Sequence, residues 1–203
     1  MKKVYNAILV ALIFWTVMFS PLTAPHVNLW VVMTIAAVTL TVMSTCFGDW
    51  YRRIHISTTD VVIGITSAAA LWAAFWIGDK LSQLIFNFAR TEVNAIYSFK
   101  ESISPWLLSL LLLIIIGPAE EIFWRGFVQQ KMTEKWGGNV GFVIATAIYA
   151  LVHAGSCNFM LVMAALVAGG FWGIIYRFYP SRLGALVISH AVWDAAVFVW
   201  FPI

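Results

Sequence analysis

Charged residues are scarce in this sequence. They make up 10% of the 203 residues, whereas hydrophobic residues make up 62%, and the mean hydropathy is +0.90. Water-soluble domains carry about 25% charged and about 45–50% apolar residues. A soluble fold of this size could not bury so much apolar surface. The composition therefore excludes a water-soluble protein and predicts an integral membrane protein.

Cysteine is also scarce, and its two positions fit no functional pattern. Cys46 and Cys157 have neither a zinc-ligand nor a redox-motif spacing, and nothing in their placement indicates a disulfide framework. The sequence lacks the H-E-x-x-H motif of zinc metalloproteases. It also lacks a convincing internal repeat of the kind found in many transporters.

Long apolar stretches recur along the whole chain. A helix needs about 20 mostly apolar residues to cross the hydrocarbon core. We therefore predict an all-α fold, a polytopic bundle of about seven transmembrane helices in a single integral membrane domain, residues 1–203. The predicted spans are residues 4–19, 27–47, 60–77, 105–128, 138–155, 159–176 and 182–201. Most tryptophan and phenylalanine side chains are expected to face lipid or the membrane interface.

Basic residues predict the orientation of these spans. With a cytoplasmic N-terminus, nine of the twelve lysines and arginines lie on the cytoplasmic side and three lie outside. We therefore predict a multi-pass protein of a bacterial-type plasma (inner) membrane, with its N-terminus in the cytoplasm and its C-terminus outside. The same basic loops account for the pI of about 9.0, so membrane lipid is an expected partner and nucleic acid is not.

The connector at residues 79–104 mixes charged residues with apolar ones at spacings of three and four. This pattern is typical of an amphipathic helix in the membrane interface. Residues 1–104 thus consist of spans and this connector, whereas residues 105–203 contain every motif described below. Two interpretations of the connector are open, a passive link on the membrane surface or a lid or substrate-entry element beside an active site.

Ionisable residues inside spans cost about 2.5–3.5 kcal/mol each on insertion scales and by default mark functional sites. Here they fall in three short segments, on the fourth, fifth and seventh spans, which can converge in the interior of the bundle. With the tyrosine that accompanies them, these residues are Glu120, Glu121, Arg125, Tyr149, His153, His190 and Asp194.

Helical spacing separates the roles of the adjacent glutamates. Glu121 and Arg125 are four residues apart, so they share a helix face and are predicted to form an ion pair. Glu120 lies about 140° around the helix from Arg125. It must find its partner on another helix, which makes it the candidate general base. Asp194, four residues after His190, can fix the tautomer of that histidine or favour its charged form.

The predicted depths of these residues in the membrane do not agree fully. Counting about 1.5 Å per residue from the predicted ends, Glu120 and His190 lie in the inner half and His153 lies nearer the outer half. Either the fifth span begins deeper in the membrane or a predicted boundary is wrong by a few residues.

The three segments resemble the CAAX protease and bacteriocin-processing (CPBP, or Abi) family of intramembrane glutamic endopeptidases. Its motifs are E-E-x-x-x-R, F-x-x-x-H and H-x-x-x-N or H-x-x-x-D, each on its own helix and in this order. Tyr149 replaces the usual phenylalanine, which changes little beyond adding a hydroxyl. Asp194 stands where the prenyl-protein endopeptidases carry asparagine. Because an ionised aspartate cannot donate a hydrogen bond, Asp194 must be protonated or must hold His190 as a cationic donor.

The resemblance implies an endopeptidase that cleaves a membrane-associated peptide or protein tail without a cofactor. In the implied mechanism, Glu120 with help from His153 deprotonates a water molecule. His190, oriented by Asp194, then stabilises the oxyanion. The residues implied to support the site structurally are Glu121, Arg125 and Tyr149.

Three alternatives are open at this point. The first is a zinc-dependent version of the same protease, with Glu120, His153, His190 and Asp194 as acceptable ligands. The second is a non-catalytic scaffold or bacteriocin self-immunity protein that keeps the fold. The third is a transporter or proton relay that uses the same buried acids and histidines.

Overall fold

The computed structural model describes residues 1–203, apart from the side chain of Glu101, and this part of the chain is helical without strands. Seven of its helices are long and apolar enough to cross a membrane, which confirms the predicted polytopic bundle. A shorter helix, α4, lies between the third and fourth spans. In chain order the helices are α1 (Lys2–Phe19), α2 (Leu29–Phe47), α3 (Thr58–Ile85), α4 (Ala89–Ser98), α5 (Pro105–Trp136), α6 (Gly138–Leu151), α7 (Phe159–Phe178) and α8 (Leu183–Ala195).

Two predicted span boundaries are wrong, because polar residues near the ends of helices are satisfied within the helices themselves. Helix α3 continues to Ile85 rather than ending at residue 77, and Gln83 Nε2 donates to Asp79 Oδ2 across 2.6 Å within the added turns. Helix α5 continues to Trp136 rather than ending at residue 128. It ends there because Gly137 has a φ of +79°, which a residue with a side chain rarely adopts.

The longer α5 removes the disagreement in depth. Helices α5 and α6 meet at Gly137, from which Glu120 is 17 residues away on one side and His153 is 16 residues away on the other. At about 1.5 Å per residue, both residues lie roughly 25 Å from the shared turn. The two motif segments are therefore level with each other in the membrane.

Two of the three motif-bearing helices, α5 and α8, form the centre of the bundle. Over its most apolar stretch the last span is 67% buried and the fourth is 50% buried, whereas each of the other five is at most 33% buried. The outer surfaces of those five expose leucine, isoleucine and valine side chains, as lipid-facing helices do. Helix α8 packs against both α3 and α5, and a π-helical turn at Ala196–Trp200 continues it.

Candidate active site

Helix α5 is irregular around its two glutamates. Pro118 has no amide hydrogen, so the usual helical hydrogen bond to the carbonyl of Ile114 cannot form. An α-helical turn at Gly117–Glu121 lies between π-helical turns at Leu112–Ile116 and Ile122–Gln129. Such π-helical turns occur frequently at functional sites. The Gly-Pro pair thus begins the α-helical turn between two π-helical ones, and the two glutamates end that turn.

The same glycine brings α5 against α8. A Cβ atom on Gly117 would lie 2.6 Å from Ala191 Cα and 2.8 Å from Ala191 N, so no side chain fits there. Ala191 follows His190 in the chain. The close approach of the two backbones therefore places the glutamates of α5 beside His190.

Glu121 lies at the junction of the two helices and is fully buried. Its Oε1 accepts a hydrogen bond from Arg125 Nη1 at 2.7 Å, which is the ion pair expected from their spacing. The same oxygen accepts a second hydrogen bond from His190 Nδ1 at 2.8 Å, which the sequence did not indicate. Arg125 also donates to the carbonyl of Gly169 on α7. Glu121 and Arg125 together tie α5 to α7 and α8.

Glu120 is held by the tyrosine of the second motif. Tyr149 Oη donates to Glu120 Oε2 at 3.0 Å, so the hydroxyl that was expected to change little contacts the candidate base directly. The tyrosine ring fits against Gly169, where a Cβ atom would lie 2.6 Å from Cδ1. The Arg125 guanidinium lies over the same ring, 4.9 Å from its centre. The ring that carries the hydroxyl is thus held by contacts on two sides.

His190 is oriented by Glu121 more directly than by Asp194. Its Nδ1 makes the short hydrogen bond to Glu121, whereas Nε2 lies 3.6 Å from Asp194 Oδ2, beyond ordinary hydrogen-bond distance. The imidazole stacks on the Trp172 ring with centres 3.9 Å apart and planes at 16°. Ser189 Oγ accepts from Trp172 Nε1 at 3.0 Å and thereby fixes that ring. Asp194 flanks His190, as predicted, but does not set its orientation.

His153 lies just past the end of α6 and has partners at both ring nitrogens. Nδ1 lies 2.7 Å from the carbonyl oxygen of Tyr149, and Nε2 accepts from Trp15 Nε1 at 2.8 Å. Tyr149 and His153 are in edge-to-face contact. Trp15 was missed in the sequence because α1 contains no motif. The only local signal is its place on the buried face of α1, after Ala7 and Ala11.

The predicted site residues line one large cavity of about 450 Å³. Five of them are on its wall, and Glu121 and Arg125 lie behind the wall. The rest of the lining is mostly apolar. The site residues on the wall are Glu120, Tyr149, His153, His190 and Asp194.

The amphipathic connector forms another part of the same wall. Helix α4 contributes Tyr97, whose Oη donates to the carbonyl of Val197, and burial raises the pKa of this phenol. Glu92 attaches α4 to the start of α7, because its Oε2 accepts from the amide of Met160 at 2.9 Å. The location beside the cavity favours the interpretation of the connector as a substrate-entry element.

The arrangement does not fit the zinc alternative. Among the described side chains, no three histidine, cysteine, aspartate or glutamate residues group closely enough to hold a metal ion. Both nitrogens of His153 are already hydrogen-bonded, so this histidine offers no free lone pair to a metal ion. A zinc ion bound to His153 would therefore have to displace its contact with Trp15 or with the Tyr149 carbonyl.

One family model matches the C-terminal part of the chain. Residues 102–196 match the family model of the type II CAAX prenyl endopeptidase Rce1-like proteins. This match confirms the resemblance to the CAAX protease family, and it includes all seven residues of the three motif segments. No curated protein and no solved structure gives a significant match to the chain.

Proposed function

We propose that this membrane chain, whose residues 102–196 match the model of the Rce1-like CAAX endopeptidase family, is a glutamic intramembrane endopeptidase. It hydrolyses a peptide bond in a membrane-associated peptide or protein tail. The observation that carries this proposal is the position of Glu120 on the wall of a largely apolar cavity that also contains His190 and Asp194. Glu120, the proposed base, and His190, a potential hydrogen-bond donor to the oxyanion, thus line the same largely apolar cavity.

Glu120 is the general base in this proposal. The Tyr149 hydroxyl holds Oε2, which leaves Oε1 to contact a water molecule in the cavity. Glu120 takes a proton from that water as its oxygen attacks the carbonyl carbon of the substrate. When the carbon–nitrogen bond breaks, the same carboxyl returns the proton to the leaving amine, so no external acid is required.

His190 stabilises the oxyanion. Because Glu121 accepts the Nδ1 proton at 2.8 Å and the Asp194 carboxyl flanks Nε2 at 3.6 Å, the surroundings favour the doubly protonated imidazolium. Its Nε2–H can then donate to the negative oxygen of the tetrahedral intermediate. A fixed donor of this kind is most effective in a low-dielectric site, where charge is poorly screened.

His153 has a supporting role. The family resemblance assigns it to water activation with Glu120, but its Nε2 lone pair accepts the hydrogen bond of Trp15. A proton transfer through His153 would require that bond to break first. We therefore assign the transferred proton to Glu120 alone.

The apolar lining of the cavity supports an apolar substrate segment, such as a lipidated tail or a membrane-anchored peptide end. Several hundred cubic ångströms are enough for a few side chains or part of an acyl or prenyl chain. The proposed location is the plasma membrane, with the N-terminus in the cytoplasm, on the basis of the basic residues.

Glu120→Gln is the decisive variant, since glutamine can still accept the Tyr149 hydrogen bond but cannot act as a base. The purified protein in liposomes is assayed with a fluorogenic prenylated CAAX peptide and with an unprenylated peptide fused to an apolar anchor. Glu134→Gln, at the exposed end of α5, is the matched control and should keep full activity. We expect Glu120→Gln to lose about a hundredfold to ten-thousandfold in kcat, as for removal of a general base.

Three outcomes would contradict the proposal. Unchanged cleavage in Glu120→Gln would exclude Glu120 as the base. Cleavage that a zinc chelator abolishes and added zinc restores would favour the metal-dependent alternative. If both test peptides remain intact with the wild type, and with a membrane extract as the substrate source, the non-catalytic alternative is favoured.

A further inference from the structure

The two hydrogen bonds of His153 fix its protonation state without ambiguity. A backbone carbonyl can only accept, so the Tyr149 carbonyl requires a proton on Nδ1. An indole N–H can only donate, so Trp15 requires a lone pair on Nε2. His153 is therefore the neutral tautomer with its proton on Nδ1. A second proton, on Nε2, would point at the indole N–H and place two donors face to face.

Trp15 is held firmly in the position that makes this contact. Its side chain is 2% exposed, and its ring meets Trp124 edge to face with centres 6.1 Å apart. It lies on α1, 138 residues before His153 and outside residues 102–196, the part that matches the family model. The first span thus reaches the candidate site even though it contains none of the motifs.

Three hydrogen bonds connect Trp15 to the candidate base by way of His153 and of Tyr149, which uses its backbone carbonyl for one bond and its hydroxyl for another. The indole N–H of Trp15 donates to His153 Nε2, and His153 Nδ1 donates to the backbone carbonyl of Tyr149. The hydroxyl of the same tyrosine donates to Glu120 Oε2. Displacement of His153 therefore removes a constraint on the residue that orients Glu120.

We propose that Trp15 is a positioning residue of the active site, which keeps His153 neutral and in place so that Tyr149 holds Glu120 for the attack on water. The proposal rests on the proposed function for its kinetic consequences, but the state of His153 can be measured without activity. The neutral state of the imidazole also affects the basicity of Glu120. A cationic His153 on the cavity wall would stabilise the Glu120 carboxylate and weaken it as a base.

The test compares Trp15→Phe with Trp72→Phe. Both variants remove an indole donor, but Trp72 on α3 donates to the carbonyl of Phe201, away from the candidate site. We expect kcat of Trp15→Phe to fall by about two- to tenfold, as for one hydrogen bond, with Trp72→Phe unchanged. The acid limb of the rate profile of Trp15→Phe should also move to higher pH, because the freed Nε2 lone pair can accept a proton. A merely structural contact would lower the amount of folded protein without moving the profile.

Nitrogen-15 NMR of histidine-labelled protein provides the second measurement. The chain has four histidines, so His153→Gln identifies the His153 signals. The proposal requires a neutral ring with its proton on Nδ1 in the wild type, and a wild-type ring protonated on Nε2 would overturn it, even if Trp15→Phe does not fold.

The kinetic outcomes separate this proposal from the proposed function. If kcat and the pH–rate profile of Trp15→Phe are unchanged while Glu120→Gln is inactive, the role of Trp15 is rejected and the proposed function is left intact. An active Glu120→Gln would reject the proposed function, whereas the NMR result would still decide the state of His153.

Discussion

Glu121 and His190 are joined by a 2.8 Å hydrogen bond between Oε1 and Nδ1, across the contact between α5 and α8. The same carboxylate oxygen receives Arg125 from its own helix. The second glutamate of the motif therefore does more than pair with its neighbouring arginine. It also orients the histidine that we assign to the oxyanion. The structural pair and the proposed catalytic groups form one network.

Replacement of Glu121 should consequently affect both stability and rate. In Glu121→Gln, the buried Arg125 and His190 lose their shared carboxylate, and an uncompensated buried charge costs about 3–5 kcal/mol. We expect a large drop in thermal unfolding temperature in detergent. We also expect loss of peptide cleavage in whatever fraction remains folded.

The comparison variant for Glu121→Gln is Lys131→Gln, which breaks the ion pair between Lys131 and Glu134 near the end of α5. That pair is partly exposed, so its loss should cost about 1 kcal/mol or less. Equal unfolding temperatures for the two variants would contradict the central position that we give to Glu121.

The Tyr149 hydroxyl offers a test of how Glu120 is oriented. Tyr149→Phe restores the residue usual in the family but removes the donor to Glu120 Oε2. A hydrogen bond to a charged group contributes about 1.5–3 kcal/mol, so we expect kcat to fall by roughly tenfold or more. Tyr176→Phe is the matched control, because it loses one phenolic hydrogen bond to Gln130 outside the cavity. Equal rates in the two variants would show that the hydroxyl does not orient the base.

Contacts within one helix were predictable from the sequence, and contacts between helices were not. The spacing of Glu121 and Arg125 predicted their ion pair because four residues make about one helical turn. The hydrogen bond from Trp15 to His153 joins residues 138 positions apart, and no local pattern encodes it. Because most tryptophans in membrane helices face lipid or the interface, a tryptophan beside the site was not expected.

Span boundaries were predictable only where glycine or proline marks them in the sequence. The end of α5 was placed too early because Lys131 and Lys135 resemble the start of a loop. In the folded chain both lie on the continuing helix, and Lys131 pairs with Glu134. The depth disagreement of Glu120 and His153 was a correct warning of this error. It could not show which of the two spans was misplaced.

Asp194 is the position at which this sequence departs from the prenyl-protein endopeptidases. Its carboxyl lies 3.6 Å from His190 Nε2, close enough to favour the charged imidazole without a hydrogen bond. Asp194→Asn loses that charge but gains an amide donor on the cavity wall. We expect it to keep kcat/KM within about tenfold of the wild type, since each change is of the order of one hydrogen bond. Asp194→Leu, which supplies neither, should lose considerably more.

The comparison of the two Asp194 variants uses the same peptide assay at fixed pH, with folding checked by thermal unfolding. If Asp194→Asn is as inactive as Asp194→Leu, the negative charge is essential and an amide cannot substitute for it. That result would contradict the interpretation that aspartate and asparagine are interchangeable here.

Gly117 permits the backbone contact that brings the two halves of the site together. In Gly117→Ala the new Cβ atom would meet Ala191 Cα at 2.6 Å, and backbone atoms cannot move aside as a flexible side chain can. Helices α5 and α8 must separate, which lengthens the hydrogen bond between Glu121 and His190. We therefore expect a loss of stability of about 1–3 kcal/mol, the usual cost of overpacking, and a large loss of peptide cleavage.

Gly170→Ala on α7 is the control, because its Cβ atom would make only an ordinary contact with Thr146 at 4.0 Å. Since alanine favours helix formation over glycine, Gly170→Ala should be as stable as the wild type or slightly more so. Equal loss of stability in both variants would mean that alanine is destabilising at either position. It would contradict the role that we give to the close approach of α5 to α8.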